Sequence, residues 1–125
     1  MAEAQTPGWM KPDFAVTSIE VDPESPPAGT EFTVTVGIVN QGDIPGDAGV
    51  VRVWASKPGN AKAGTAGDAD QAAGLLEVGE TRTLTFTLTA PTKSGTHHAR
   101  AFVDADNATA EKSEGNNQLT TTYTL

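Results

Sequence analysis

Two segments of this chain alternate apolar and polar residues with a period of two, and that pattern restricts the fold more than any other feature. In Thr30 to Asn40, Phe32, Val34, Val36 and Ile38 take one parity, while Thr33, Thr35, Gly37 and Val39 take the other. In Thr81 to Thr89, Leu84, Phe86 and Leu88 alternate with Thr83, Thr85, Thr87 and Thr89. Successive side chains of a strand point to opposite faces, so this is the mark of a half-buried strand. Good helix formers never cluster at helical spacing. Thr and Ala each occur 18 times, and 13 Gly and 8 Pro punctuate the chain. A Thr- and Val-rich chain broken by Gly and Pro reads as all-β.

Further strands follow from the same rule. Phe14 and Val16 share one parity and Ile19 and Val21 the other, which predicts a bulge near Thr17-Ser18 in an edge strand that changes partner. Val50 to Ser56 is apolar on both parities, as in a central strand or one whose outer face is partly covered. Thr96 to Asp104 puts His97, Ala99, Ala101 and Val103 opposite His98, Arg100, Phe102 and Asp104. Gln118 to Leu125 closes the domain with Leu119, Thr121, Tyr123 and Leu125 on one parity. A short seventh strand is expected near Leu75-Leu76. Residues 57–74, dominated by Ala, Gly and Asp, read as a long loop, either mobile or functional, with mobile favoured for want of an aromatic anchor and a turn of helix expected near Asp68 to Ala73. About seven strands at this spacing predict a two-sheet antiparallel β-sandwich, with a small barrel as the other architecture.

At 125 residues the chain fits one domain, assigned to residues 12–125 behind a linker or frayed tail at 1–11. The start has neither a basic segment nor an apolar run, and the chain reads as a segment of a longer protein with an introduced Met1. A net charge of −8 repels phosphate backbones and excludes nucleic acid as the expected partner. The absence of cysteine removes disulfides, thiolate nucleophiles and Cys-type zinc sites. No apolar run reaches the ~18 residues of a membrane-spanning helix.

Several motifs follow one another along the chain. Pro12-Asp13-Phe14 precedes Phe32-Thr33-Val34-Thr35-Val36, and Asn40-Gln41-Gly42 follows that strand. Then come Val78-Gly79-Glu80-Thr81, Thr89-Ala90-Pro91, Gly95-Thr96 and Val103-Asp104-Ala105-Asp106-Asn107. Glu111, Glu114 and Asn116-Asn117 complete the series. Over roughly residues 12–125 this resembles the CARDB family, the cell adhesion related domain found in bacteria. The resemblance implies an immunoglobulin-like or fibronectin-III-like sandwich in exported or surface proteins, often repeated or beside catalytic domains, with no defined activity. It therefore places the chain outside the cell or on its surface, in contact with neighbouring domains. The 57–74 segment is longer than the family's usual hairpin, His97 stands where a bulky residue is common, and Ala105 where Pro is common.

Three constellations have chemical potential. Asp104, Asp106, Asn107, Glu111, Glu114, Asn116 and Asn117 supply oxygens of the kind calcium takes. They depart from an EF-hand, since Ala108 and Thr109 interrupt the pattern and its Gly is missing. The alternative is structural: Asp and Asn side chains accepting from loop amides to fix a turn. Trp54 and Phe102 fall on outward parities and form either an exposed patch for a partner or sugar, or core. His97 and His98 are sequence neighbours in a strand, so they point apart and do not meet one ion. The five serines lack a G-x-S-x-G elbow and the glycines fit no nucleotide fingerprint, so no enzyme is expected. The expected function is a monomeric, non-catalytic adhesion, spacer or presentation module at the cell surface, meeting protein or glycan. The alternatives are a calcium- or carbohydrate-binding module and a passive accessory domain of an exported hydrolase.

Overall fold

A computed structural model describes residues 10–62, 64–105 and 117–125. Its elements in chain order are β1 (Phe14–Asp22), β2 (Glu31–Asn40), β3 (Gly46–Asp47), β4 (Val50–Trp54), β5 (Ala69–Ala72), β6 (Leu75–Leu76), β7 (Thr81–Thr89), β8 (Thr96–Phe102) and β9 (Gln118–Thr124). Strands β1-β2-β7 form one sheet and β5-β4-β8-β9 the other, all antiparallel, with β3-β6 as a small ladder at one end. This three-on-four packing is the immunoglobulin-like sandwich, not the barrel.

The period-two pattern becomes burial as expected. Phe32, Val34, Val36 and Ile38 are buried and meet Val51, Val53, Ala99, Ala101 and Val103 from the facing sheet. The register between β1 and β2 slips between Val16 and Ser18, so a bulge returns Ile19 to the core side after Val16. β1 stays an edge strand throughout, pairing with β2 alone.

The 57–74 segment differs from expectation. Ala69–Ala72 is a strand, the edge of the four-stranded sheet, with no turn of helix among its described residues. Leu75–Leu76 is extended too, but it pairs with Gly46–Asp47 outside the two main sheets. Described residues of the remainder, from Lys57 to Asp68, are hydrogen-bonded to the sandwich. The expected tail at 1–11 lies mostly outside the described residues. Its last part is already packed, since the Asp43 N–H donates to the Lys11 carbonyl at 2.9 Å.

The chain enters and leaves at opposite poles. Phe14 pairs with Asn40 beside Gly46, and that pole also holds Ala48, Asp104 and Asn117. Leu125 exchanges backbone hydrogen bonds with Gly95 at the other pole, where the Phe32 and Tyr123 rings lie 5.3 Å apart. β1 and β9 therefore run parallel, one on each sheet.

Candidate functional site

Two regions attract functional interest, and each is built by a pair of strands. β4 and β8 are neighbours with Arg52 opposite Phe102 and Trp54 opposite Arg100. All four side chains leave the outer face of the sheet, yet all are buried, Trp54 and Phe102 at 7% exposure each. The cover is the segment between β4 and β5. Trp54 Nε1 donates to the Ala66 carbonyl at 2.8 Å, and Arg52 Nη1 to the Thr65 carbonyl at 3.2 Å. Arg100 donates to the Lys57 and Pro58 carbonyls at 3.0 Å each and to Asn60 Oδ1 at 3.2 Å. Gln118 grips both backbone groups of Ala61, accepting at 2.9 Å and donating at 2.7 Å.

Ala61, Ala105, Trp54 and Phe102 thus make a second small core on the outside of the sheet. The exposed Trp54/Phe102 patch is corrected accordingly: the rings are roofed and offer no open face. Residues 57–62 and 64–68 form a strap hydrogen-bonded to the strands beneath, where a long loop was expected. Gly67 marks its closest approach, because a Cβ there would fall 2.4 Å from Arg52 Cγ and 2.9 Å from the Val53 carbonyl. The sequence reading missed this because it sought anchors within the loop, whereas they rise from the strands beneath. Arg and aromatic side chains alternating on the outward parity of β4 and β8 were the available signal. Burial lowers the Arg100 pKa, and four oxygens from the strap and Gln118 accept its N–H groups. Arg52 in turn forms a forked pair with Asp70, at 2.7 and 3.1 Å, which fastens β5 to β4.

The second region is the polar turn after β8. Asp104 and Asn117 are both almost fully buried, at 1% exposure each, and the Val103 N–H donates to the Asn117 carbonyl at 2.9 Å. Asp104 adopts a left-handed φ of 51°, and its carboxylate packs against Gly49, where an added Cβ would stand 2.7 Å from Oδ1. The other candidate ligands, Asp106, Asn107, Glu111, Glu114 and Asn116, lie outside the described residues. Among the described residues, no three His, Cys, Asp or Glu side chains form a group able to hold a metal ion. The histidines separate as expected: His97 Nδ1 meets Ser56 Oγ at 2.9 Å and its Nε2 the Lys93 carbonyl at 2.8 Å, which uses both ring nitrogens.

A residue without chemical appeal proves central at the entry pole. The buried Asn40 side chain accepts from the Asp13 and Gly42 N–H groups at 3.1 and 2.9 Å. It donates to the Ile44 and Leu76 carbonyls at 2.9 and 3.1 Å. One amide therefore ties the start of β1, the turn after β2 and β6 together.

The CARDB family model matches residues 11–121. The chain belongs to the CARDB family. A CARDB domain from Pyrococcus furiosus, crystallised in complex with di-metal ions, is 25% identical, with a TM-score of 0.70 over 92% of this chain and 94% of that one. A domain from a Methanosarcina acetivorans protein named for the cell surface is 22% identical, with a TM-score of 0.65 and 92% of each chain covered. A β-glucosidase from Erythrobacter marinus shares the fold at 19% identity and a TM-score of 0.58; 91% of this CARDB chain aligns with 15% of that enzyme. No curated protein matches.

Proposed function

We propose that this CARDB domain is a non-catalytic spacer and presentation module of an extracellular or surface protein, its partners being neighbouring domains and, through them, protein or glycan. The observation that supports this most is the polar placement of the chain's entry and exit. A module entered at one pole and left at the other adds its whole length to an array. Nine-residue β1 alone spans roughly 30 Å. The surface location rests on the family and on the name of the Methanosarcina relative. The likeness to part of a β-glucosidase concerns the fold alone and leaves the accessory-domain reading as the lesser one. A net charge of −8 favours a monomer and disfavours nucleic acid. Among the described residues no helix is long and apolar enough to cross a membrane.

Small-angle scattering from two copies joined end to end, the Leu125 end of one to the first residue of the next, tests the spacer reading. The expected maximum dimension is close to twice that of one copy. A pair folded back to the length of a single module would refute it.

A second reading, calcium binding at the turn after β8, draws support from the di-metal complex of the Pyrococcus relative. The described residues bring only Asp104 and Asn117 to this pole from the candidate set. Calcium at millimolar concentration should raise the melting temperature by several degrees if the reading holds, and leave it unchanged if it does not.

A further inference from the structure

β1 and β9 are the edges of two different sheets, they run side by side, and no ladder joins them. Between them lies an open groove of about 620 Å³, lined by Ile19, Glu20, Val21, Glu24, Ser25 and the stretch Thr121 to Thr124. A groove of this size falls within the range that holds a small ligand or short peptide.

The ladder geometry says which backbone groups face it. Leu125 and Gly95 exchange two hydrogen bonds, at 3.0 and 3.3 Å, so they are a hydrogen-bonded pair. Such pairs alternate with pairs whose N–H and C=O groups turn away. In the β8–β9 register, Thr124, Thr122 and Thr120 are then the residues whose backbone groups point outward. The Val103 to Asn117 bond at the far end fits the same phase. On the other wall, the Asn40 N–H donates to Glu80, so even-numbered residues of β2 face β7. Their β1 partners Ile19 and Val21 consequently direct backbone donors and acceptors away from β2. The groove thus presents two rows of backbone groups without ladder partners among the described residues, over a floor that includes buried Ile19 and Tyr123.

We propose that this groove accepts an extended peptide strand carrying basic side chains, added to the β9 edge. Main-chain pairing supplies recognition of an extended segment, as in strand addition generally. The charge of the wall selects the occupant, because Glu20 and Glu24 are both exposed at its rim. A second copy of this chain, at −8, is the poorest candidate on the same ground. This proposal is independent of the spacer reading, which concerns the poles and not the flank.

The test is an NMR titration of the whole chain with two peptides of alternating composition, one of threonine and lysine, the other of threonine and glutamate. The lysine peptide is expected to shift the Thr120, Thr122 and Thr124 amides and slow their hydrogen exchange, with the glutamate peptide leaving them unmoved. Thr122→Pro removes one outward N–H, a substitution edge strands tolerate, and should weaken binding at least tenfold. Glu20→Gln with Glu24→Gln should weaken it comparably without touching the backbone. Equal response to both peptides, no response at millimolar peptide, or binding unchanged in either variant would overturn the proposal. Dimer formation through β9 by the peptide-free chain would overturn it too, by making the occupant a second copy.

Discussion

Asn40 shows how one side chain can fix a pole of a sandwich. Replacing it with Ala leaves two N–H groups and two carbonyls near the core without their amide partner. Each such group costs about 1–3 kcal/mol when water cannot reach it, so Asn40→Ala should lose at least ~3 kcal/mol in urea unfolding. Tyr123 is the counterpart at the other pole, its hydroxyl donating to the Ala55 carbonyl across the sheet. Burial, with the Asp68 charge as a lesser cause, pushes its pKa above the ordinary tyrosine value. The fold therefore holds the phenolic proton more tightly than the unfolded chain does. That contribution is complete below the ordinary value of about 10 and drains away as pH rises through the folded one. The stability advantage of the native protein over Tyr123→Phe should be flat to about pH 9 and shrink above it; an advantage that grows above pH 10 would contradict the assignment. Neither role was evident from the sequence. Asn40 belonged to a motif quoted for resemblance alone, and only the long-range register brings Asp13 and Leu76 to it.

The strap is where element-level reasoning went furthest from the structure. Strands such as β2 and β7 were legible because one face is wet and the other dry, and that asymmetry writes itself into the residues. Ala69–Ala72 has no such signature: its residues have little strand preference, and β4 recruits them through the ladder and the Arg52–Asp70 fork. The outer face of β4 and β8 was misleading for the same reason. Parity placed Trp54 and Phe102 outside the sandwich correctly, but whether outside meant exposed depended on a segment with almost nothing to bury. The polar turn holding Asp104 was legible as a structural or metal-binding element without its sequence deciding between them. Gly67→Ala tests the strap directly. The new methyl group meets Arg52 and the β4 backbone, so a loss of about 1–3 kcal/mol is expected. With Trp9→Phe as background, Trp54 fluorescence should shift to the red as the cover lifts; unchanged emission and stability would show that the strap accommodates a side chain there.

At the scale of the molecule, the sandwich combines two edges left open on one flank with poles that take the chain in and let it out. The first is the basis of the proposed peptide docking, the second of the proposed spacer role. The parallel course of β1 and β9 has a further result. Tension applied to the two ends draws β1 toward its own start and β9 toward its own finish, so each slides along its neighbour instead of peeling from it. Ladder bonds lie across the strands, and this loading strains many of them at once. Pulling single molecules by their ends should therefore produce one abrupt rupture, whereas a gradual, bond-by-bond release would show that the load follows another route. A domain whose end strands take this course is thus oriented to resist being torn open by traction on its two ends.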